Sequence, residues 1–333
     1  MEGVDTAMIF LLSGNLFASN QGKGIDLLAL LRGAALRGHS VLVVDDPFGS
    51  SSIESREFES WVARLSIELQ REVAWLRERV RRIPPNAVTR GATTIAVTAP
   101  VASNQVTQRI VLNLTEAIRL ATLPLFVLVE NGLSDAAFVR RTMPPRWRRK
   151  IREWEIAGLV RFEHAGGIGE MKRLVEHCSA DGTTSDPLGL GPHSWRASHF
   201  LLCDRDSQDQ NGKPSKESGE LQRACVRAKM KDQLHILSRR DQESYLPEEA
   251  LRAIVATKTG KNERDGMLTA LEAHLAIGNA RHQTPLPKVG DTSWFKSAFF
   301  QFESSIHWDD VWFERDGSDP EMVDLAEAIA AFL

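Results

Sequence analysis

The stretch "HFLLCDRDS", residues 199–207, runs an apolar segment straight into Asp204 and Asp206. Alternate residues of an extended chain share a face, so the two carboxylates crowd together. Neighbouring carboxylates resist joint ionisation unless a cation or hydrogen-bond donors lie between them. An Asp-rich turn closing a strand accounts for the same letters, so the flanking sequence has to decide.

Upstream, "PLFVLVEN" (124–131) reads as a strand, and "LSDAAFVRRTM" (133–143) as a helix capped by Ser134 or Asp135. "GLVRFEHAGG" (158–167) is a second strand ending in Gly166 and Gly167, followed by the helix "IGEMKRLVEHC" (168–178) and a polar loop (179–198). Downstream of the aspartates lie a polar loop (207–219), the helix "ELQRACVRAKMK" (220–231) and the strand "QLHILS" (233–238). This βαβαβαβ order predicts a parallel sheet with right-handed crossovers. In such sheets functional groups collect beyond the carboxyl ends of the strands. Glu130, the glycine pair, Asp204 with Asp206, and Glu243 in "SRRDQESYLPEEAL" would all reach that edge. An all-oxygen acidic set suits a hard cation, Mg²⁺ or Mn²⁺, rather than zinc.

The N-terminal third alternates in the same way. "AMIFLLSG" (7–14), "VLVVDDP" (41–47) and "TTIAVTAP" (93–100) read as strands, separated by helices over 24–40 and from Ser55 to Arg82, the latter stopped by Pro84 and Pro85. A further helix is expected over 104–122. The pattern predicts a Rossmann-like α/β domain. The loop "SNQGKG" (19–24) offers the Gly22 and Gly24 amides to an anion, but its spacing is not that of a P-loop. Asp45 and Asp46 read as a turn. Beyond Pro247 the chain looks mainly helical, with an aromatic-rich segment (294–313) suited to a core or to a homo-oligomer interface. The expected division is an N-terminal α/β domain (1–121), a central parallel-sheet domain (122–262) and a helical C-terminal region (263–333).

With 333 residues and a net charge of −3, the chain is not a wholesale nucleic-acid coat, so any polyanion must meet a local basic patch. "RRTMPPRWRRKIRE" (140–153) supplies one: Arg140, Arg141, Arg146, Arg148, Arg149, Lys150 and Arg152 surround Trp147. Basic residues near an acidic centre would hold the phosphates of a nucleic acid, with Trp147 free to stack on a base; a solvated helix face explains them equally. Three scattered cysteines and no CxxC pair fit a reducing cytoplasm, and no run is long enough for a membrane span. His307 reads as structural; His164, beside the glycine turn, is the histidine of interest.

The pattern "VLVEN-GLSDAAFVRR … HAGGIGEMKRLVE … FLLCDRDS … LSRRDQESYLP" resembles a TOPRIM domain, in the form found in nucleases of the OLD (overcoming lysogenization defect) type and related phage-defence proteins. The resemblance covers about 122–262. It implies a Mg²⁺-dependent endonuclease, cytoplasmic and antiviral, acting on DNA ahead of RNA. Glu130, Asp135, Asp204, Asp206 and Glu243 would be catalytic metal ligands, and Lys261, with Lys258 next, a late active-site lysine. Asn131 stands where the family has glycine, with Gly132 one place later. No ATPase precedes the domain, which implies a separate ATPase or sensor subunit. Three other readings share parts of the pattern. A topoisomerase would need Tyr245, the chain's sole tyrosine, as its nucleophile. A HAD-type phosphohydrolase would use Asp204 and Asp206 with Ser238, a lysine at 258 or 261, and Asp309-Asp310. A non-catalytic TOPRIM would only bind nucleic acid or a partner.

Overall fold

A computed structural model of the chain describes residues 8–18, 23–44, 56–80, 94–97, 110–179, 190–206, 213–257, 260–288 and 295–333. In chain order the elements begin with β1 (Ile9–Ser13), α1 (Asn15–Ala18), α2 (Lys23–Arg37), β2 (Ser40–Val44), α3 (Arg56–Val62), α4 (Ile67–Val80), β3 (Thr94–Val97), β4 (Ile110–Leu112) and α5 (Leu114–Thr122). They continue with β5 (Leu125–Val129), α6 (Gly132–Thr142), α7 (Pro145–Ile156), β6 (Val160–His164), α8 (Ile168–Cys178), α9 (Pro192–Ser198), β7 (His199–Cys203), α10 (Lys216–Arg227) and β8 (Leu234–Ile236). The remainder is helical: α11 (Glu248–Ala256), α12 (Lys261–Leu275), α13 (Ala298–Gln301), α14 (Asp310–Asp316) and α15 (Asp319–Ala330), with 3₁₀ turns at Lys231–Gln233, Gln242–Tyr245 and Gly278–Gln283.

The protein is mixed α/β, with two four-stranded parallel sheets ordered β2-β1-β3-β4 and β6-β5-β7-β8. Two compact units result: Met1–Leu125 with Cys178–Ser198 and Ile329–Leu333, and Phe126–His177 with His199–Ala328. This differs from the three-part division expected at 121 and 262. Part of the C-terminal aromatic segment fills the interior of the second unit, where Phe299 packs against Phe138 (5.3 Å), Trp308 (5.6 Å) and Phe313 (6.5 Å), while Phe300 is exposed. The rings of Phe299, Trp308 and Phe313 are part of the buried core.

Inside the first unit β1 is buried on both faces, as a central parallel strand demands. Phe10 and Leu12 join Leu27, Leu30 and Leu31 of α2 and Leu120 of α5, while Ile9 and Leu11 pack with Val44 on the other face. Three expectations change here. The single helix from Ser55 to Arg82 is broken between α3 and α4, where the Ser66 hydroxyl accepts the Leu69 amide at 3.4 Å and starts a new helix. The helix over 104–122 is in its described part a strand and a shorter helix. Ile110–Leu112 pair with β3, as a β-branched run favours, and Asn113 and Glu116 form a capping box that opens α5. The loop 179–198 contains α9, whose Ala197 enters the first unit's core.

In the second unit β5 pairs with β7 (Phe126↔His199 to Leu128↔Leu201) and β7 with β8 (Leu201↔Leu234 to Cys203↔Ile236). By chain position the order is second-first-third-fourth, so the winding reverses between β5 and β7. That seam opens a crevice at the carboxyl edge. Among the described residues no helix is long and apolar enough to cross a membrane.

Candidate metal and phosphate centre

At the carboxyl edge of the second sheet lies a cleft of about 710 Å³, lined from four strand ends. β5 delivers Glu130, β6 delivers His164 and the glycine pair, β7 delivers Asp204 and Asp206, and the segment after β8 delivers Arg240 to Glu243. The two glycines make the turn possible, with φ of +87° at Gly166 and +101° at Gly167. Helix α6 starts immediately beyond β5. Its N-cap position belongs to Asn131 rather than to Ser134 or Asp135; the Asp135 carboxylate instead accepts the Asn131 amide at 2.9 Å. All five acids expected from the sequence therefore line one cleft.

A direct link joins the two central strands: the Asp204 amide donates to Oε1 of Glu130 at 3.1 Å. Asp206 sits in the left-handed region (φ +49°), its amide donating to the Arg240 carbonyl at 2.7 Å, which ties the DxD turn to the segment after β8. Glu243 accepts the amide of Ser297 at 2.9 Å. Asp241, which the sequence pattern did not single out, also lines the cleft. Its Oδ1 caps the 3₁₀ turn by accepting the Ser244 amide at 2.9 Å, and the carboxylate meets the Arg240 guanidinium at 3.3 Å.

Burial dominates the electrostatics. It lifts the Glu130 carboxyl to about 7, against the pull of the Asp204 amide and with help from Asp206, Asp135 and Glu243. Asp204 is pushed well up by burial and then by Glu130, Asp241, Glu243 and Asp135. Burial and the neighbouring Asp241 raise Asp206 and Glu243 as well. Asp135 is raised by burial, opposed by donors from Asn131 and Gln242. One atom stands apart: Oδ1 of Asp204 is shut off from solvent and has no hydrogen-bond partner. A buried, unpartnered carboxylate oxygen among mutually repelling acids is the donor chemistry that a hard cation satisfies. Among the described residues no three His, Cys, Asp or Glu side chains are already drawn into a ligand set. The fit rests on the oxygen chemistry and on that atom.

Several expected site residues lie elsewhere. Lys261 is exposed at the start of α12 and does not line the cleft; among the described residues the cleft's lysines and arginines are Arg240, Lys288 and Lys296. The two lysines come from a stretch without a motif, about fifty residues past the acids, and only the fold brings them in. None of Arg140, Arg141, Arg146, Arg148, Arg149 and Lys150 lines the cleft. Arg140 forms a two-pronged pair with Glu155 (2.9 and 2.6 Å), and Arg148 binds Asp310 (2.7 Å) and the carbonyls of Arg141 and Met143. Arg146, Arg149 and Arg152 remain exposed on α7, where Trp147 carries Arg146 and Lys150 over its ring. Tyr245 is fully buried against Phe138, its phenol donating to Glu321 and pushed up by burial. Ser238 also donates to Glu321, Asp309 caps α14, and Asp310 is held by Arg148, so the phosphohydrolase set does not converge on the cleft. His307 is exposed. Lys258, Asp45, Asp46 and residues 19–22 of the glycine loop lie outside the described residues.

No protein-family model, curated protein or solved structure matched the chain.

Proposed function

We propose that the second unit is a TOPRIM-like nuclease domain that hydrolyses nucleic-acid phosphodiesters with Mg²⁺ or Mn²⁺. The observation that carries this reading is the pairing of Glu130 with Asp204 at the seam between β5 and β7, with the unpartnered Oδ1 of Asp204 inside the acidic cleft. Glu130, Asp204 and Asp206 would hold the ion; Asp135 and Glu243, each already anchored to a backbone amide, would orient it or hold a second. The ion would supply charge stabilisation and an activated water. Arg240, Lys288 and Lys296 would take the phosphate that the carboxylates alone repel, and the exposed cations of α7 would hold the strand beyond the cleft. The first unit would be a Rossmann-like domain. The proposed setting is cytoplasmic antiviral defence, with DNA as substrate and an ATPase or sensor on a separate chain.

The test is cleavage of supercoiled plasmid, single-stranded DNA and RNA with Mg²⁺ or Mn²⁺, by wild type and by Asp204→Ala. Metal-dependent cleavage lost in the variant supports the reading. Equal cleavage by both proteins, or Mn²⁺ binding that ignores the substitution, overturns it.

A further inference from the structure

The segment that brings Arg240, Asp241, Gln242 and Glu243 to the cleft has no strand or α-helix to hold it, so its shape must come from side chains beneath it. One acid gathers most of them. Glu321, near the start of α15, accepts the Ser238 amide at 2.7 Å, the Ser238 hydroxyl, the Tyr245 phenol at 2.5 Å and Nε2 of His235 at 3.1 Å. Tyr245 closes the 3₁₀ turn that carries Glu243, and its oxygen also accepts the Arg239 amide at 3.2 Å. Both ends of the segment thus hang on one carboxylate that does not line the cleft. Further bonds complete the frame: Arg239 donates to the Ser244 carbonyl at 3.0 Å and pairs with Asp316, which Arg281 also holds, and the Arg240 amide donates to the His282 carbonyl at 2.9 Å. A charged acceptor serving four donors gives stronger bonds than neutral partners would.

We propose that Glu321 is a positioning residue: through Ser238 and Tyr245 it sets the 238–245 segment, and so the placement of Arg240 and Glu243 in the cleft. For its effect on metal and substrate the inference rests on the nuclease reading; for the shape of the segment it does not. The rival role is a plain fastening of α15 to the body of the unit.

Hydrogen exchange and Mn²⁺ titration of Glu321→Gln in the full-length protein separate the two. Positioning predicts that amides 238–246 lose protection while β5, β7 and α15 keep theirs, and that Mn²⁺ affinity falls about 10–100-fold, as for other supports of metal ligands. Ser238→Ala, at an exposed position, serves if the first variant does not fold, with a smaller change in the same direction. Unchanged exchange across 238–246, with deprotection confined to α15, overturns the proposal. Wild-type protein that takes up no Mn²⁺ would defeat the nuclease reading, while the exchange pattern would still decide the role of Glu321.

Discussion

Glu130 and Asp204 end adjacent strands, and the amide of one donates to the carboxylate of the other at 3.1 Å. The sheet thus presses two acids together in a place where burial favours their neutral forms. That arrangement works against the stability of the metal-free fold.

The sign follows from Glu130. Its carboxyl lies at about 7 in the folded protein, against an ordinary value of 4.5. Between those values the folded state keeps a proton that the unfolded state has lost, so stability falls as pH rises through the window and stays reduced above it. A shift of this size corresponds to about 3 kcal/mol. Metal-free wild type is expected to melt at lower temperature at pH 8 than at pH 5. Glu130→Gln, which keeps an oxygen for the Asp204 amide, should flatten that dependence and raise the melting temperature at pH 8. Glu321 has the opposite sign: burial opposes its charge, but donors from His235, Ser238 and Tyr245 outweigh it and hold the carboxyl at about 2. Its contribution is complete above its ordinary value and is lost only as pH falls toward 2, below both pH values of that comparison.

Glu243 and Tyr245 share one turn and divide its tasks. Glu243→Gln should reduce nicking severely, since the amide loses the charge that balances a cation. Tyr245→Phe should keep most activity at saturating metal and show only a weaker metal affinity, because the phenol bonds Glu321 rather than the cleft and two other residues still donate to that carboxylate. Assay of both on supercoiled plasmid checks this; an inactive Tyr245→Phe protein that still binds metal would favour a covalent tyrosyl mechanism.

Cations along α6 and α7 should separate by role. Charge reversal at Arg146, Arg149 and Arg152 should weaken nucleic-acid binding and lower the log–log salt slope by about 0.9 for each phosphate no longer neutralised. Arg148→Ala should instead cost about 1–3 kcal/mol of stability, because it removes a charged donor from Asp310 and from two carbonyls at the end of α6. Fluorescence anisotropy over a salt series and urea denaturation read the two effects separately.

Gly132 stands where α6 passes the end of β6. An added Cβ would lie 3.2 Å from Cβ of His164 and 3.3 Å from its backbone nitrogen. Alanine elsewhere in a helix gains roughly 1 kcal/mol over glycine; here crowding against backbone, about 1–3 kcal/mol for overpacking, should reverse the sign. Denaturant midpoints of Gly132→Ala decide it.

What was legible in the sequence was what local pattern controls. Apolar runs closed by acids mark the strands and their carboxyl ends, so Glu130, Asp204, Asp206 and Glu243 could be placed from the residues alone. Asp135 read from the residues only as a helix cap and joined the set through the resemblance to a TOPRIM domain. The break before α4 and the strand Ile110–Leu112 escaped because apolar periodicity runs across them, although Ser66 and Asn113 each signal a helix start. Asp241 had a signal too, the D-x-x-S spacing to Ser244 that caps its turn. Lys288 and Lys296 had none, since only tertiary folding carries them to the cleft. The cations near Asp135 are close in sequence, yet none of them lines the cleft.

The first unit is assembled from three separated pieces of chain, the last being Ile329–Leu333. During synthesis, then, its packing stays incomplete until those five residues have emerged from the ribosome, long after its own sheet has been translated. A chain stopped before them would carry an unfinished first unit, and one stopped before Glu321 would also lack the support beneath Arg240 and Glu243. On the nuclease reading, the cleft would be framed only once Glu321 has been made, well after the strands that lead to Glu130 and Asp204.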